Sequence, residues 1–302
     1  MSNDATSSYA VLITGANGQL GRELQRCAWP AEWEVVACGR DGLDLADPAA
    51  ISAKVAERDW AVVINGGAYT AVDRAEQEVV QAWTVNALAP AALGKACAKA
   101  GIPLIQLSTD YVFAGDKRGA WEVDDPVGPL GVYGASKLGG ELAVRTSGAR
   151  HVILRTAWVV SPFGHNFAKT MLRLAESRDT VSVVDDQHGS PTNAADLARA
   201  VMTIAIQLAN DAQAPTGTFH FSNAGAVTWA GFAAEIFAQS AARAGPSAAV
   251  QPIATADYPT PATRPRNSRL SHTALRTAYG IKPRPWQIAI GDILDELTGT
   301  RP

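Results

Sequence analysis

The residues best suited to chemistry are Tyr133 and Lys137, in the stretch Tyr133-Gly-Ala-Ser-Lys137. On a helix they stand at i and i+4 and project from one face. A phenol beside an ammonium group is a proton-transfer device. The positive charge stabilises the phenolate, so the phenol's pKa is expected to fall from about 10 towards the range where a proton is usefully exchanged. The same spacing occurs on ordinary surface helices, so the pair has meaning only if other parts of the chain build a site around it. Thr109, within Ser108-Thr109-Asp110, supplies a hydroxyl upstream, at the end of an apolar run. Hydroxyl, phenol and ammonium together are more specific than any one of them.

The elements that must position these groups are legible from the start of the chain. Ala10-Val-Leu-Ile-Thr14 is an apolar, β-rich run of the kind buried on both faces. It enters Gly15-Ala-Asn-Gly-Gln-Leu-Gly21, and helix is expected over 22–28. Strand, glycine turn and helix in that order make a phosphate site: glycine admits a pyrophosphate close to the backbone, and the helix N-terminus offers N–H groups and a positive dipole end. The spacing is G-x-x-G-x-x-G, not G-x-G-x-x-G. A second strand over 34–38 ends at Gly39-Arg40, where an NAD-binding unit carries an acidic residue for the ribose 2′-hydroxyl. Arg40 instead can pair with a 2′-phosphate, which favours NADPH, while Asp41 beside it keeps NADH open. Asp44 and Leu45 fall at the adenine edge.

A helix over 49–58, opened by Pro48, precedes a third strand over 61–65. Gly66, Gly67, Ala68, Tyr69 and Thr70 follow at the C-terminal end of that strand, where open α/β sheets bind ligands. Residues 73–99 read as helix with a break near Gln77-Glu78. Asn86 lies inside it, either solvated or making structural hydrogen bonds. A fourth strand over 102–107 leads to Ser108-Thr109-Asp110. A loop over 114–130, with Trp121, Pro126 and Pro129, leads to the Tyr133 helix. His151–Thr156 is the next strand, ending at Ala157-Trp158. This alternation predicts an α/β protein with a Rossmann-like doubly wound parallel sheet and a smaller α/β substrate-binding lobe. An NADP(H)-binding domain is expected over 9–160, joined by part of 193–225, with 161–302 forming mainly the discontinuous substrate lobe. There the expected helices are 166–176, 196–208, 229–240 and 287–297, and the expected strands 181–184 and 218–222. The Ala/Pro-rich stretch 242–261 reads as loop with little strand. The arginines of Thr263-Arg264-Pro265-Arg266-Asn267-Ser268-Arg269-Leu270 form either a solvated loop or a phosphate clamp.

Composition narrows the class. The 302 residues are 47% hydrophobic with a formal net charge of −3, enough for a substantial core and no support for nucleic-acid or anionic-membrane partners. Cys27, Cys38 and Cys97 are too few and scattered for a disulfide framework or a cysteine zinc site, which fits a reduced, cytoplasmic setting. Met1 to Ser8 are polar and read as a disordered lead-in, not as a signal peptide. No apolar run approaches the roughly 20 residues that span a bilayer.

The strings GANGQLG, NGGAYTAVDRAE, STDYVFAG, YGASKLGGE, RTAWVV, NFAKTMLRLA, DDQHGSPT and RPRNSRL stand in order from Gly15 to Leu270. With the glycine turn, Thr109 and the Tyr133/Lys137 pair, they resemble the extended short-chain dehydrogenase/reductases and, more closely, the dTDP-4-dehydrorhamnose reductase family. The resemblance implies reduction of the C4 keto group of dTDP-4-dehydro-L-rhamnose by NADPH or NADH. The product, dTDP-L-rhamnose, would feed a surface polysaccharide such as the O-antigen of lipopolysaccharide. It implies that Tyr133 protonates the C4 oxygen. Lys137 would hold the nicotinamide ribose and lower the Tyr133 pKa, and Thr109 would bond near the carbonyl or tune Tyr133. Gly15, Asn17, Gly18, Gln19, Leu20, Arg40, Asp44, Leu45, Ala68, Tyr69 and Thr70 would contact the dinucleotide. Asp110, Trp158 and Arg264 would contact the nucleotide sugar, the arginine on its pyrophosphate. Two departures stand out. Asn65-Gly66-Gly67-Ala68 replaces the family's Asn-Ala-Ala-Ala, a change expected to be silent. Some members hold magnesium between glutamates at a dimer interface. Glu23 and Glu296 match two of those positions but Ala195 occupies a third, which weighs against the metal and that dimer and leaves homodimer formation open. Two other functions fit the fold. A non-catalytic NADP(H)-binding regulatory subunit tends to lose the Tyr/Lys pair, which is intact here. A sugar-nucleotide epimerase or dehydratase needs a further acid or base, for which Asp110 is the candidate.

Overall fold

β-Branched and apolar side chains fill Tyr9–Thr14 (β1), which is buried along its length as the middle of a parallel sheet requires. The computed structural model describes residues 9–299; Met1 to Ser8 lie outside the described residues. β1 passes through the glycine turn into Gln19–Arg26 (α1) and then Trp33–Cys38 (β2). Asp47 caps Pro48–Ala56 (α2), its carboxylate accepting the N–H groups of Ala49 and Ala50, with proline in the first turn where an N–H is dispensable. Val62–Asn65 (β3) follows, then Val72–Ala75 (α3), Val79–Trp83 (α4) and Ala89–Ala100 (α5). The break expected near Gln77-Glu78 separates α3 from α4. A π turn over Thr84–Leu88, which helical spacing does not announce, separates α4 from α5.

Leu104–Thr109 (β4), a 3-10 turn at Asp110–Val112, Val132–Thr146 (α6) and His151–Thr156 (β5) complete the first half. The second half runs Val159–Val160 (β6), Phe167–Ala175 (α7), Thr180–Val184 (β7), His188–Gly189 (β8), Thr192–Asn193 (β9), Ala194–Asn210 (α8) and Gly217–Phe221 (β10). It ends with Val227–Thr228 (β11), Trp229–Ala241 (α9), Ala249–Ile253 (β12), Thr273–Tyr279 (α10) and Trp286–Thr298 (α11). Two of these correct the sequence expectation. β12 lies within the stretch expected to hold little strand, pairing in parallel with β7 from Ala249 opposite Thr180. Its Ala and Pro content hides it, and Pro252 is tolerated because β12 pairs on one side only. α10 had no counterpart among the expected helices.

The main sheet has the order β10-β5-β4-β3-β1-β2, and every pairing in it is parallel. The chain leaves β1 for β2 on one side and returns to β3 on the other, so a crevice opens at the C-terminal ends of β1 and β3. Strand side chains alternate between two apolar layers. Val11, Ile13 and Ile64 pack with Leu24 of α1 and Leu197 and Val201 of α8; Leu12 and Val63 pack with Ile51 and Val55 of α2 and Leu93 of α5. A third core, built from Met171, Phe232, Ile236, Phe237, Ile290 and Leu294, holds the smaller lobe of α7, α9 and α11 on β7. Among the described residues no helix is long and apolar enough to cross a membrane.

The seating of α6 depends on two glycines. A side chain at Gly139 would meet the Trp83 ring at 2.7 Å, and one at Gly140 would run into the Asn86 carbonyl. Their absence lets α6 lie against the π turn, where buried Asn86 does structural work. Its amide oxygen accepts the Tyr69 N–H at 2.9 Å, and its amide nitrogen donates to the Tyr69 carbonyl and to Ser136 Oγ, each at 3.0 Å. Asn86 therefore ties the loop after β3 to α6 between Tyr133 and Lys137. Asn86→Ala leaves these groups without partners and should cost about 2–3 kcal/mol, lowering Tm by on the order of 5 °C. A thermal melt unchanged by the substitution would remove this role.

Candidate active site

A cavity of about 550 Å³ opens at the crevice between the ends of β1 and β3. At one end lies the glycine turn. Gly15 has φ +75°, and a side chain there would meet Gly67 Cα at 2.7 Å, so both loops approach as closely as backbones can. Ala16 N–H donates to the Cys38 carbonyl at 3.1 Å and Gly18 N–H to the Gly15 carbonyl at 3.0 Å, which fixes the turn. Gly18 is the N-cap of α1 and has no side chain to cap it, so the first-turn N–H groups remain available to an anion. Gly15, Asn17, Gly18, Gln19 and Leu20 line this end, and Arg40, Asp44, Leu45, Ala68 and Thr70 continue the wall. The cradle fits a dinucleotide pyrophosphate. Thr156 adds to the fit: its Oγ1 lies buried without a hydrogen-bond partner, in a residue of the same wall.

Tyr69 is the dinucleotide candidate that the structure turns away. Its hydroxyl donates to Glu78 Oε2 at 2.6 Å, and its ring borders a separate, open groove shared with Arg40. The Glu78 bond raises its pKa. Its backbone is instead what Asn86 holds.

Tyr133 and Lys137 line the other end of the cavity from one face of α6. Lys137 is buried and donates from Nζ to the Leu107 carbonyl at 2.7 Å. Burial presses its pKa down to about 8, with Glu141 acting in the opposite direction. The expected lowering of the Tyr133 pKa is absent. Although part of Tyr133 faces the cavity, its phenol lies deep in protein, and burial pushes it up to about 12, with only the Thr109 hydroxyl pulling it back. The reason is physical: loss of water around the phenol dominates, the Asp110 carboxylate adds to it, and the Lys137 ammonium group, committed to a carbonyl, does not offset it.

Thr109 and Asp110 sit behind the wall residue Ser108. Thr109 Oγ1 donates to Asp110 Oδ1 at 2.9 Å and accepts the Tyr111 N–H at 3.2 Å. Burial pushes Asp110 up to about 6, against the hydroxyls of Ser268 and Thr109. Tyr111 packs its ring edge-on to Tyr133 at 5.4 Å, and Arg264 acts electrostatically on Tyr111. Arg264 itself does not line the cavity: it donates to Asp73 Oδ2 at 2.7 Å and to the Ala262 carbonyl at 3.2 Å. Trp158 also lies outside it, stacked on Trp229 with ring centroids 3.5 Å apart. Sequence reasoning placed the Ser108 hydroxyl at the ligand edge of the sheet without naming it a site residue, and passed over Leu107 and Thr156 as wall residues, although their place at C-terminal strand ends was the available signal. Val159, Gly164 and His165 reach the wall through the connection to the smaller lobe, which carries no such mark.

Glu23, Glu296 and Ala195 do converge, around a second cavity of about 280 Å³. The residues there do not fit a divalent ion. Arg26 donates to both oxygens of Glu296 at 3.0 and 3.1 Å and stands 3.7 Å from Glu23, so a guanidinium supplies the positive charge, and Ala195 offers no donor. Among the described residues no group of three or more His, Cys, Asp or Glu is arranged to hold a metal.

Comparison with known proteins extends this geometry. A family model described as the RmlD substrate binding domain matches residues 9–299. A dTDP-4-dehydrorhamnose reductase of Sinorhizobium fredii is 43% identical over 276 residues, covering 91% of this chain and 93% of the relative. The crystal structure of a dTDP-4-dehydrorhamnose reductase from Clostridium acetobutylicum superposes with a TM-score of 0.89 at 38% identity, over 95% of this chain and 99% of its own. One from Bacillus anthracis, in complex with NADP, gives 0.89 at 34% identity over 96% and 99%. The likeness runs through both lobes and the whole described chain, which therefore belongs to the RmlD family, the family of the dTDP-4-dehydrorhamnose reductases.

Proposed function

We propose that the protein reduces the C4 keto group of dTDP-4-dehydro-L-rhamnose to give dTDP-L-rhamnose, with hydride from NADPH and a proton from Tyr133. The observation that carries this is the placement of Tyr133 and Lys137 on one cavity wall with the glycine turn, Thr109 standing behind the phenol. Relatives bearing the reductase name, and one solved with NADP, support it. The activity is that of an NAD(P)H-dependent oxidoreductase, acting on a nucleotide sugar in a cytoplasmic setting.

The nicotinamide, when bound, supplies the hydride. Everything else falls to the chain. Gly15, Gly18 and the first turn of α1 hold the pyrophosphate, and exposed Arg40 at the cavity edge pairs with the 2′-phosphate. Lys137 has three N–H donors; one is spent on Leu107, leaving two for ribose hydroxyls. Hydride arriving at the carbonyl carbon leaves charge on its oxygen, and Tyr133 quenches that charge. With its pKa at about 12 the phenol is fully protonated at neutral pH, the state a donor needs, and it is still more acidic than the sugar hydroxyl that its proton creates. Lys137 then steadies the phenolate left behind. On the sugar side the family resemblance assigns Asp110 and Trp158 to the substrate; from behind Ser108 and from the stack on Trp229 they border the cavity without lining it. Arg264 reaches the dTDP pyrophosphate by exchanging the Asp73 carboxylate for phosphate oxygens.

With NADPH and dTDP-4-dehydro-L-rhamnose the protein should consume the reduced-nicotinamide absorbance; cofactor binding without consumption would move the weight to a regulatory subunit. Tyr133→Phe should lower kcat by roughly 10²–10⁴-fold and leave NADPH affinity nearly unchanged, whereas full turnover would sink the proton-donor role. Arg40→Ala should weaken NADPH about tenfold more than NADH; equal losses would mean that Arg40 does not read the 2′-phosphate. Because Arg26 already pairs with both oxygens of Glu296 beside Glu23, and Ala195 offers no ligand atom, EDTA should leave Tm and turnover unchanged, and a magnesium-dependent rise in Tm would contradict that account.

A further inference from the structure

Glu141 lies on α6 one turn beyond Lys137 and is 0% exposed. Its carboxylate accepts four hydrogen bonds. Arg155 donates from Nε and Nη2, each at 2.8 Å; Ser108 Oγ donates at 2.6 Å, and Arg145 Nη2 at 2.9 Å. Arg155 is itself 1% exposed. A buried pair of this kind is a poor source of net stability, because desolvating both charges offsets their attraction and an apolar pair would fill the space as well.

Its location supplies another role. Ser108 on β4 and Arg155 on β5 are register partners, and so are the residues that follow them, Thr109 and Thr156. Glu141 thus grips the two strands one residue before the site hydroxyls, and it does so from the helix that carries Tyr133 and Lys137. Besides Tyr133, the elements packed on α6 bring Asp73 and Arg74 from α3, Lys95, Cys97 and Lys99 from α5, Asp110 and Tyr111 from the turn after β4, and His151 and Arg155 from β5, while α4, the π turn and β4 carry no charged side chain. Glu141 is the charge that acts on Lys137.

We propose that Glu141 is the positioning residue of this site: it sets the spacing between the Tyr133 helix and the Thr109 and Thr156 strand ends, and it is the counter-charge that keeps Lys137 an ammonium ion. This rests on the reduction proposed above as the reaction. Raising pH removes the Lys137 proton, so activity should fall on the alkaline side, and loss of Glu141 should move that fall to lower pH.

The test is the pH profile of kcat, and in parallel of NADPH affinity, for wild type, Glu141→Gln, Glu141→Asp and the double variant Glu141→Gln with Arg155→Met. The double variant removes both buried charges, so it stays folded where Glu141→Gln alone strands Arg155. The alkaline limb should shift down by about one pH unit in Glu141→Gln, lowering turnover about twofold near neutrality and about tenfold on the limb itself; the double variant, which also removes the positive charge of Arg155, should shift less but lose turnover through the lost grip on β4 and β5. Glu141→Asp should return the limb towards wild type while keeping a lower plateau, since the charge is restored but not the reach. An unshifted limb in folded Glu141→Gln would reduce Glu141 to a structural residue, and if that variant does not fold, wild-type kcat in the double variant would do the same. Wild type that turns over at no pH would instead refute the reductase proposal. In that case the pH dependence of NADPH affinity, which needs no sugar, decides the role of Glu141 by the same shift.

Discussion

The bond on which the site depends is the one from Lys137 Nζ to the Leu107 carbonyl, at 2.7 Å. An ammonium group deep in a sheet protein needs acceptors, and the end of a parallel strand offers a carbonyl that the ladder has not used. That carbonyl is itself the end of a polar chain across the sheet. Thr14 Oγ1 donates to Asn65 Oδ1 at 2.5 Å, Asn65 Nδ2 to Gln106 Oε1 at 2.8 Å, and Gln106 Nε2 to the Leu107 carbonyl at 2.8 Å. Three neighbouring strands, β1, β3 and β4, are thereby locked at the height where their ends border the cavity. Gly67 N–H joins by donating to Thr14 Oγ1 at 3.2 Å, so the loop that closes over Gly15 belongs to the same chain. For Lys137 to reach Leu107, α6 must come close to the sheet and to the π turn. Gly139, Gly140 and Asn86 make that approach feasible.

Burial then decides the chemistry. The i, i+4 spacing of Tyr133 and Lys137 led to the expectation of a softened phenol, as electrostatics between near neighbours would give. The same closeness of packing that brings the two together also removes their water. The loss of hydration acts on both and in opposite senses: the phenol becomes a weaker acid and the ammonium a stronger one. For a reductase the first effect is useful, because a proton donor must hold its proton until charge develops on the substrate. The second effect is a liability, because a neutral lysine would neither bind ribose hydroxyls as strongly nor steady a phenolate. Glu141 answers that liability from inside the core.

How much of this could be read from the residues follows a pattern. Features fixed by local sequence were legible: β1 with its glycine turn and α1, the break before α4, and the Tyr133 helix. His151–Thr156 was bounded as it stands in the structure. Features fixed by distant partners were not. The π turn exists because α6 presses on it, and β12 because β7 offers an edge. Tyr69 faces Glu78 and Arg264 faces Asp73 through pairings that no spacing in the sequence displays. Glu141 and Arg155 read as ordinary charged positions of a helix and a strand. Their burial appears only when β4 and β5 are set side by side.

Trp158 shows how the two lobes are held in one site. It follows the cavity residue Thr156 by a single intervening residue, and it has φ +48°, a left-handed conformation that side chains other than glycine seldom adopt. Such strain persists only where the surroundings over-determine it. Here they do: the ring stacks on Trp229 of α9, its face lies where any side chain at Gly189 would be, and its carbonyl accepts the Thr192 N–H at 3.0 Å as β6 pairs with β9. Gln19, from the glycine turn, meets the same connection: it donates to the Val159 carbonyl at 3.4 Å and accepts from Asn166 at 3.0 Å. The smaller lobe is therefore anchored at two points, one at the phosphate cradle and one at the end of β5. Tyr133, Lys137 and Thr156 line the same cavity as Gln19 and Val159. The strained tryptophan is thus the point where the main sheet is joined to the smaller lobe, beside the cavity that Tyr133 and Lys137 line.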